Sequence, residues 1–496
     1  MTPVVTSVAH GPRYARPLSI TPGVWACGIL AAALVVALLC VAALRPEQRA
    51  VALPAVAILA IFAIFSMLLA RQLDAAVFGE IGFLFLGFSV AYSVIPALNF
   101  LALDFDFPPD GLNFAILDPQ PDEIGRHLWR HALFIAMVAI AYLAGRGRQT
   151  LALRPRANVP GALLLGSILV TVASTGLVAA LSAPVTNYYE HYTRFDHLAP
   201  IGRYAAYIGL LLKSAGYYVT LTLMFSAYRR FKFFIAPVVL SIVAYELVYS
   251  FGSRIESLSI LLATACLYHF HVRPLRLATG AVYLFLLLLL FTGVELYRAA
   301  EFDLDAVVNE ILDRGLKFAY EFGAVFYTSF HIYYERALGT LPQPEWPMLI
   351  NDFFTAVPMY DHITHNSQYW YAGIYFPEAI VPLQTMGPLA DSGIWGGESD
   401  LAVRGLLTGL GYAWIARWVM RRNAPWHRML IYTFLFATVV FGLKYSLVYQ
   451  ASLMARIFLP VLLLHWAYTF FLRPLGRALA QASDPPSRTS PREALP

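Results

Sequence analysis

Two short segments late in the chain gather the side chains that handle hydroxyl-rich molecules. His362, His365, Asn366, Gln368, Tyr369 and Trp370 form one; Trp395, Glu398 and Asp400 form the other. Aromatic faces stack on the C–H faces of sugar rings, while imidazole, amide and carboxylate groups hydrogen-bond to hydroxyls, so these mixtures suit carbohydrate. His365 is a candidate base or ligand, because imidazole titrates near neutrality and can take a proton from a hydroxyl; a packed structural histidine is the plainer alternative. His362 and His365 stand three residues apart, as zinc ligands can, yet no third ligand is identifiable, and no metal site is assigned. Asp104 and Asp106 have the DxD form that holds a divalent ion, and equally the form of a solvated acidic loop.

A second set of residues is cationic. Arg254, Arg298, Arg404, Lys444 and Arg456 fall near span ends on what the topology below makes the outward side. The planar, permanently charged guanidinium matches phosphate oxygens, so a cluster of this kind suits a membrane-bound pyrophosphate. Snorkelling and internal ion pairs, such as Glu295 with Arg298 or Glu246 with Arg254, are the alternative. Lys213 lies near the middle of a span, where a charge costs several kcal/mol and implies a partner or a cavity.

The elements that carry these groups follow from composition. Hydrophobic residues make up 59% of the chain and charged residues 13%, which excludes an ordinary soluble domain and predicts an all-α polytopic membrane protein. Apolar runs begin near Val24, Ala50, Phe78, His127, Pro160, Ala205, Phe233, Glu256, Leu277, Leu401, Met429 and Val448, giving about twelve transmembrane helices. Basic residues concentrate in alternate connections (Arg146, Arg148, Arg154 and Arg156; Arg229, Arg230 and Lys232; Arg417, Arg421, Arg422 and Arg428), which sets both termini in the cytoplasm.

The expected organisation is a cytoplasmic segment 1–23, nine spans over 24–297, a large outward (periplasmic) loop with short helices over 298–397, three spans over 398–472, and a disordered, proline-rich cytoplasmic tail over 473–496. Within the loop, Asp303 to Phe318 has one apolar helical face and would lie flat on the outer leaflet. Cys27, Cys40 and Cys266 all fall inside expected spans, so no disulfide framework is expected. The net charge of +5 is what basic loop ends require, and no nucleic-acid partner is expected. The first apolar run, Val24 to Leu44, lacks a small-residue cleavage pattern and reads as a retained span.

The large late loop also carries an ordered series: Phe376, Pro377 and Glu378, then Pro382, Thr385, Pro388, Asp391 and Ser392, ending in Trp395, Gly396 and Gly397 before a new span. With about twelve spans and outward arginines, this resembles the bacterial O-antigen and exopolysaccharide repeat-unit polymerases (Wzy-type). His365 and Asn366 are similar to the loop histidine motif of the O-antigen ligases. The glycine that stands eleven positions after the arginine in some such polymerases is Ala265, Asn309 or Val325 here, counting from Arg254, Arg298 and Arg314.

The resemblance implies a fold similar to the C-type membrane glycosyltransferases in the bacterial inner membrane, acting on undecaprenyl-pyrophosphate-linked oligosaccharide at its outer face. It implies no cofactor, and it implies the lipid bilayer, a chain-length regulator and a flippase of the same pathway as partners. The enzyme would be inverting and metal-independent. A hydroxyl of the acceptor glycan attacks the anomeric carbon of the donor, and undecaprenyl pyrophosphate leaves. Arg254, Arg298, Arg404, Lys444 and Arg456 would stabilise the charge developing on that leaving group. One of His365, Glu378, Asp391 or Glu398 would orient or deprotonate the acceptor hydroxyl. Tyr369, Trp370, Tyr371 and Trp395 would hold sugar rings. A lipid-linked oligosaccharide flippase or other transporter, an O-antigen ligase and a polyprenyl-phosphate-sugar glycosyltransferase remain alternatives. Buried charges such as Lys213 and Glu246 fit a transporter, which leaves the late aromatic loop unexplained.

Overall fold

The computed structural model describes residues 33, 35–73, 77–102, 120–147, 161–183, 194–249, 254–275, 320–354, 367–375, 386–420, 426–439 and 442–444, with single positions over 280–286 and 463–474. Among the described residues the fold is all-helical. In chain order the helices are α1 (Pro46–Gln72), α2 (Ile81–Ala102), α3 (Pro121–Arg146), α4 (Gly161–Leu181), α5 (Pro200–Ser226), α6 (Tyr228–Tyr249) and α7 (Arg254–His271). There follow α8 (Tyr320–Leu338), α9 (Trp346–Phe354), α10 (Ser367–Tyr375), α11 (Pro388–Trp395), α12 (Glu398–Met420) and α13 (Trp426–Thr438). Helices α1 to α5 are long and apolar enough to cross a bilayer, by length and composition, as a helical membrane protein requires.

The helices begin where local chemistry favours it. Proline occupies the first turn of α1, α3, α5 and α11, where its missing N–H would have no intrahelical partner anyway. Asp122 and Glu123 open α3 and Glu398 and Asp400 open α12, while Arg146 and Arg417 close them, each sign matching the helix dipole.

Helix α3 is the spine of the region that carries the site. α1 and α12 pack along it, and α12 runs parallel to it: Arg130 of α3 meets Glu398 at one end, and Arg417 donates to the Gly145 carbonyl at the other. Gly405 and Gly409, four residues apart on α12, make this approach possible. A Cβ at Gly409 would collide with the Val138 carbonyl, and one at Gly405 would lie 2.8 Å from Met137 Cβ. Such a small-residue spacing lets backbones touch where lipid supplies no hydrophobic driving force. α4 pairs with α5, which also packs on α6, α7 and α13; a Cβ at Gly216 would strike Thr171 and one at Gly209 would meet Val178.

Among the described residues, the region 298–397, expected as a loop with short helices, contains three short helices, α9 to α11, and also the 19-residue α8. α8 packs against α2 and α11 and touches α3, with Phe326 against Phe100 and Ser329 against His127. α11 is not a surface element. Every residue from Met386 to Ile394 is buried, so this eight-residue helix is enclosed by the bundle.

Candidate functional site

Four helices enclose a cluster built on α11. Its outer neighbours form a small apolar core of Ile332, Met348, Tyr371, Met386, Ala390 and Ile394, with Trp370, Tyr375 and Trp395 packed against it. α8 holds α11 by three contacts. Arg336 Nη1 donates to the Gly393 and Ile394 carbonyls at 2.6 and 3.2 Å, a cation placed on the carbonyl end of the helix. The Tyr333 hydroxyl pairs with Ser392 Oγ at 2.9 Å. Gly393 faces Ile332 so closely that a Cβ would lie 2.8 Å from Ile332 Cγ2. At its other end α11 rests on the 442–444 turn, because a Cβ at Gly387 would collide with the Leu443 carbonyl.

Asp391 lies on the first turn of this helix and is 3% exposed. One oxygen, Oδ2, accepts from Arg404 Nη1 at 3.3 Å, while the same guanidinium makes a shorter bond from Nε to Asp400 Oδ2 at 2.7 Å. Among the described residues Asp391 Oδ1 has no hydrogen-bond partner. Burial pushes the Asp391 carboxyl up to about 8; Arg404 opposes the shift, and the neighbouring Asp352 and Asp400 add to it. Raised carboxyls of this kind are the ones that can serve as general acid or base.

Asp352, on the inner face of α9, completes the cluster. Its Oδ1 accepts from both the backbone N–H and the hydroxyl of Ser367 at 2.9 and 3.0 Å, which caps the start of α10. Burial raises this carboxyl too, against the lowering by Ser367 and by Arg404.

The expected site residues separate into three groups. Asp391 and Arg404 come together, and the turn bearing the buried Lys444 abuts the base of the same helix. Glu398 stands apart on the surface, paired with Arg130 at 3.1 Å and 62% exposed. Arg404, expected to face a pyrophosphate, makes its bonds to Asp400 and Asp391. Tyr371, expected to hold a sugar ring, is fully buried and its hydroxyl pairs with His331 Nδ1 at 2.6 Å; its ring is core. Trp370 and Trp395 are half-buried at the rim, Trp395 lying 5.4 Å from the Trp346 ring. Arg254 opens α7, with only its backbone described. The side chain of Tyr369, residues Arg298, His365, Glu378 and Arg456, the Asp104/Asp106 pair and the stretch 303–318 lie outside the described residues.

Several polar groups near the cluster were not singled out from the sequence. His127 and His131, one turn apart on α3, are buried with their Nε2 atoms 3.2 Å from each other. Ser93 gives its hydroxyl proton to the Ser89 carbonyl, so its oxygen accepts from His131 Nδ1 at 2.7 Å; Ser329, likewise committed to α8 carbonyls, accepts from His127 at 2.9 Å. This chain joins α2, α3 and α8 behind α11. The i, i+4 histidine spacing was a readable signal, whereas Arg336 and Tyr333 act on groups 57 and 59 positions away and left none.

Comparison of the chain with protein-family models, curated proteins and solved structures finds no match.

Proposed function

We propose that the chain is a membrane glycosyltransferase that polymerises undecaprenyl-pyrophosphate-linked oligosaccharide repeat units at the periplasmic face of a bacterial inner membrane. About twelve spans and two cytoplasmic termini belong to this reading. The observation that carries it is Asp391: a buried carboxyl with one unpartnered oxygen among the described residues, raised by burial and set beside Arg404, on a helix whose small apolar core also packs against Trp370 and Trp395.

Of the two candidate bases among the described residues, Asp391 and Glu398, Asp391 is the one whose environment suits proton transfer. Its carboxylate takes the proton of the acceptor hydroxyl as that oxygen bonds to the anomeric carbon of the donor. The bond from that carbon to the pyrophosphate oxygen breaks, and its electron pair leaves with undecaprenyl pyrophosphate. Arg404 orients Asp391, and Arg254, Arg298, Lys444 and Arg456 serve the departing charge. Trp370 and Trp395 hold sugar rings.

Deletion of the gene tests this. Loss of the polymeric glycan, with single lipid-linked repeats accumulating on the outer side, is the expected outcome; repeats trapped inside would identify a flippase. A transport reading draws on a different observation, the buried pair of Lys213 Nζ and Glu246 Oε1 at 2.8 Å with the Tyr217 hydroxyl on the same oxygen. All three groups are mutually satisfied, which supports a structural bridge between α5 and α6.

A further inference from the structure

Helix α9 is amphipathic in the reverse sense. Its inward face carries Met348 in the small core and Asp352 on the start of α10, while its outward face presents Trp346 at 73% and Ile350 at 58% exposure. Leu338, at the end of α8, is 58% exposed as well. A helix surrounded by water turns its acid outward and its tryptophan in; this one does the opposite, as a helix seated in lipid would.

The position of α9 along the bundle identifies the lipid layer. Trp346 packs against Trp395, which precedes the Arg130–Glu398 pair, and Trp129, 47% exposed, adjoins Arg130. The opposite end of α12 bears Trp414 and Trp418, stacked at 6.1 Å, with Arg417 beside them and Arg428 over the Trp418 ring at 4.8 Å. From Glu398 to Arg417 a helix rises about 28 Å, close to the hydrocarbon thickness of about 30 Å. Between these layers the free face of α12 is Val403, Leu407 and Leu410, all exposed and apolar. Tryptophan and charge at both ends of an apolar band mark the two bilayer interfaces.

We propose that α9 is an interfacial lipid-binding helix, with Trp346 and Ile350 seated in the bilayer interface at the Arg130–Glu398 end of the bundle. The seated face fixes the depth of the helix, and its other face thereby holds Asp352 on the start of α10. This inference does not depend on which reaction the chain catalyses.

Site-directed spin labelling of the full chain tests it, in liposomes of phosphatidylethanolamine and phosphatidylglycerol. Labels enter as Trp346→Cys, Ile350→Cys and, for a water-exposed reference, Gln343→Cys, in a background with Cys27 and Cys40 replaced by serine and the buried Cys266 retained. The expected result is high collision with oxygen and low collision with a polar nickel chelate at 346 and 350, and the reverse at 343. Polar accessibility at 346 and 350 equal to that at 343 overturns the proposal. Protection of both positions from oxygen and nickel alike, the mark of protein contact, overturns it too. Because 350 makes no described aromatic contact, its label reports even where the 346 variant disturbs the Trp346–Trp395 pair.

Discussion

Two arginine–carboxylate pairs in the bundle, Arg146–Glu80 at the end of α3 and Arg404–Asp391 between α12 and α11, are built differently. At the Gly145 end, Arg146 grips Glu80 with a true fork: Nε to Oε2 and Nη2 to Oε1, both at 2.8 Å, with both side chains wholly buried. The Tyr142 hydroxyl adds a bond at 2.5 Å, and the Tyr432 hydroxyl donates to the Gly79 carbonyl at 2.6 Å while accepting from the Ile81 N–H at 3.1 Å. In the second pair Arg404 spreads its fork over two aspartates, holds Asp391 at 3.3 Å, and leaves one carboxyl oxygen without a partner among the described residues. A carboxylate with both oxygens engaged, as in Glu80, ties helices together, here α2, α3 and α13, even though Arg146 Nη1 has no partner among the described residues. One with an unpartnered oxygen keeps its proton available.

The contrast breaks most visibly at the Glu80–Arg146 pair. Arg146→Ala strands a buried carboxylate, and thermal unfolding in detergent is expected to show a loss of about 3–5 kcal/mol. Removing both charges, Glu80→Leu with Arg146→Leu, should recover much of it, since neither group is then left unpaired. A double variant as unstable as the single one would mean that the network holds the helices by specific hydrogen bonding.

Asp391→Asn should do the reverse, lowering the rate of transfer by roughly a hundredfold or more while the protein accumulates and, at about pH 4 where Asp391 is protonated, melts as before. An equal loss of folded protein would make Asp391 a structural group like Glu80.

Stability against pH sharpens the same point. Asp391 has a raised folded-state pKa, so its protonated form contributes stability that is complete below the ordinary value of 3.8 and lost as pH rises to about 8. Melting temperatures measured from pH 4 to 9 should fall across that window, and less so in Asp391→Asn. The smallest effect belongs to the exposed pair. Glu398→Ala should change stability by about 1 kcal/mol or less, because Glu398 is 62% exposed.

The same comparison shows what the sequence makes legible. Apolar runs locate α1 to α7, α12 and α13, but observed starts commonly precede the expected ones: Pro46 against Ala50, Pro121 against His127, Pro200 against Ala205, Tyr228 against Phe233. Hydropathy marks only the apolar stretch, while these helices begin about a turn earlier, at prolines and polar residues. α2 departs the other way, at Ile81, because Val77–Gly79 forms a 3-10 turn. Asp391 and Arg404 stand in the sequence as candidates, yet their pairing across 13 residues depends on α11 entering the bundle. Proline, glycine and serine around α11 read as loop, and nothing local encodes its burial under Arg336 and Tyr333. The pairing of Asp400 with Arg404, i and i+4 on one helix, was accessible to the same reasoning that proposed free cations, and it redirects Arg404 from phosphate to carboxylate. Glu80 and Arg146, 66 positions apart, had no such local sign.

The most direct test of the Asp391 centre is the pH dependence of polymer formation by the purified chain in liposomes, using a lipid-pyrophosphate-linked repeat unit and a gel that resolves chain length. The account predicts a ladder of products whose rate climbs as pH rises through about 8, the point at which Asp391 ionises, and a residual rate without that rise in Asp391→Asn. A ladder of unchanged rate and unchanged pH profile in Asp391→Asn would contradict it.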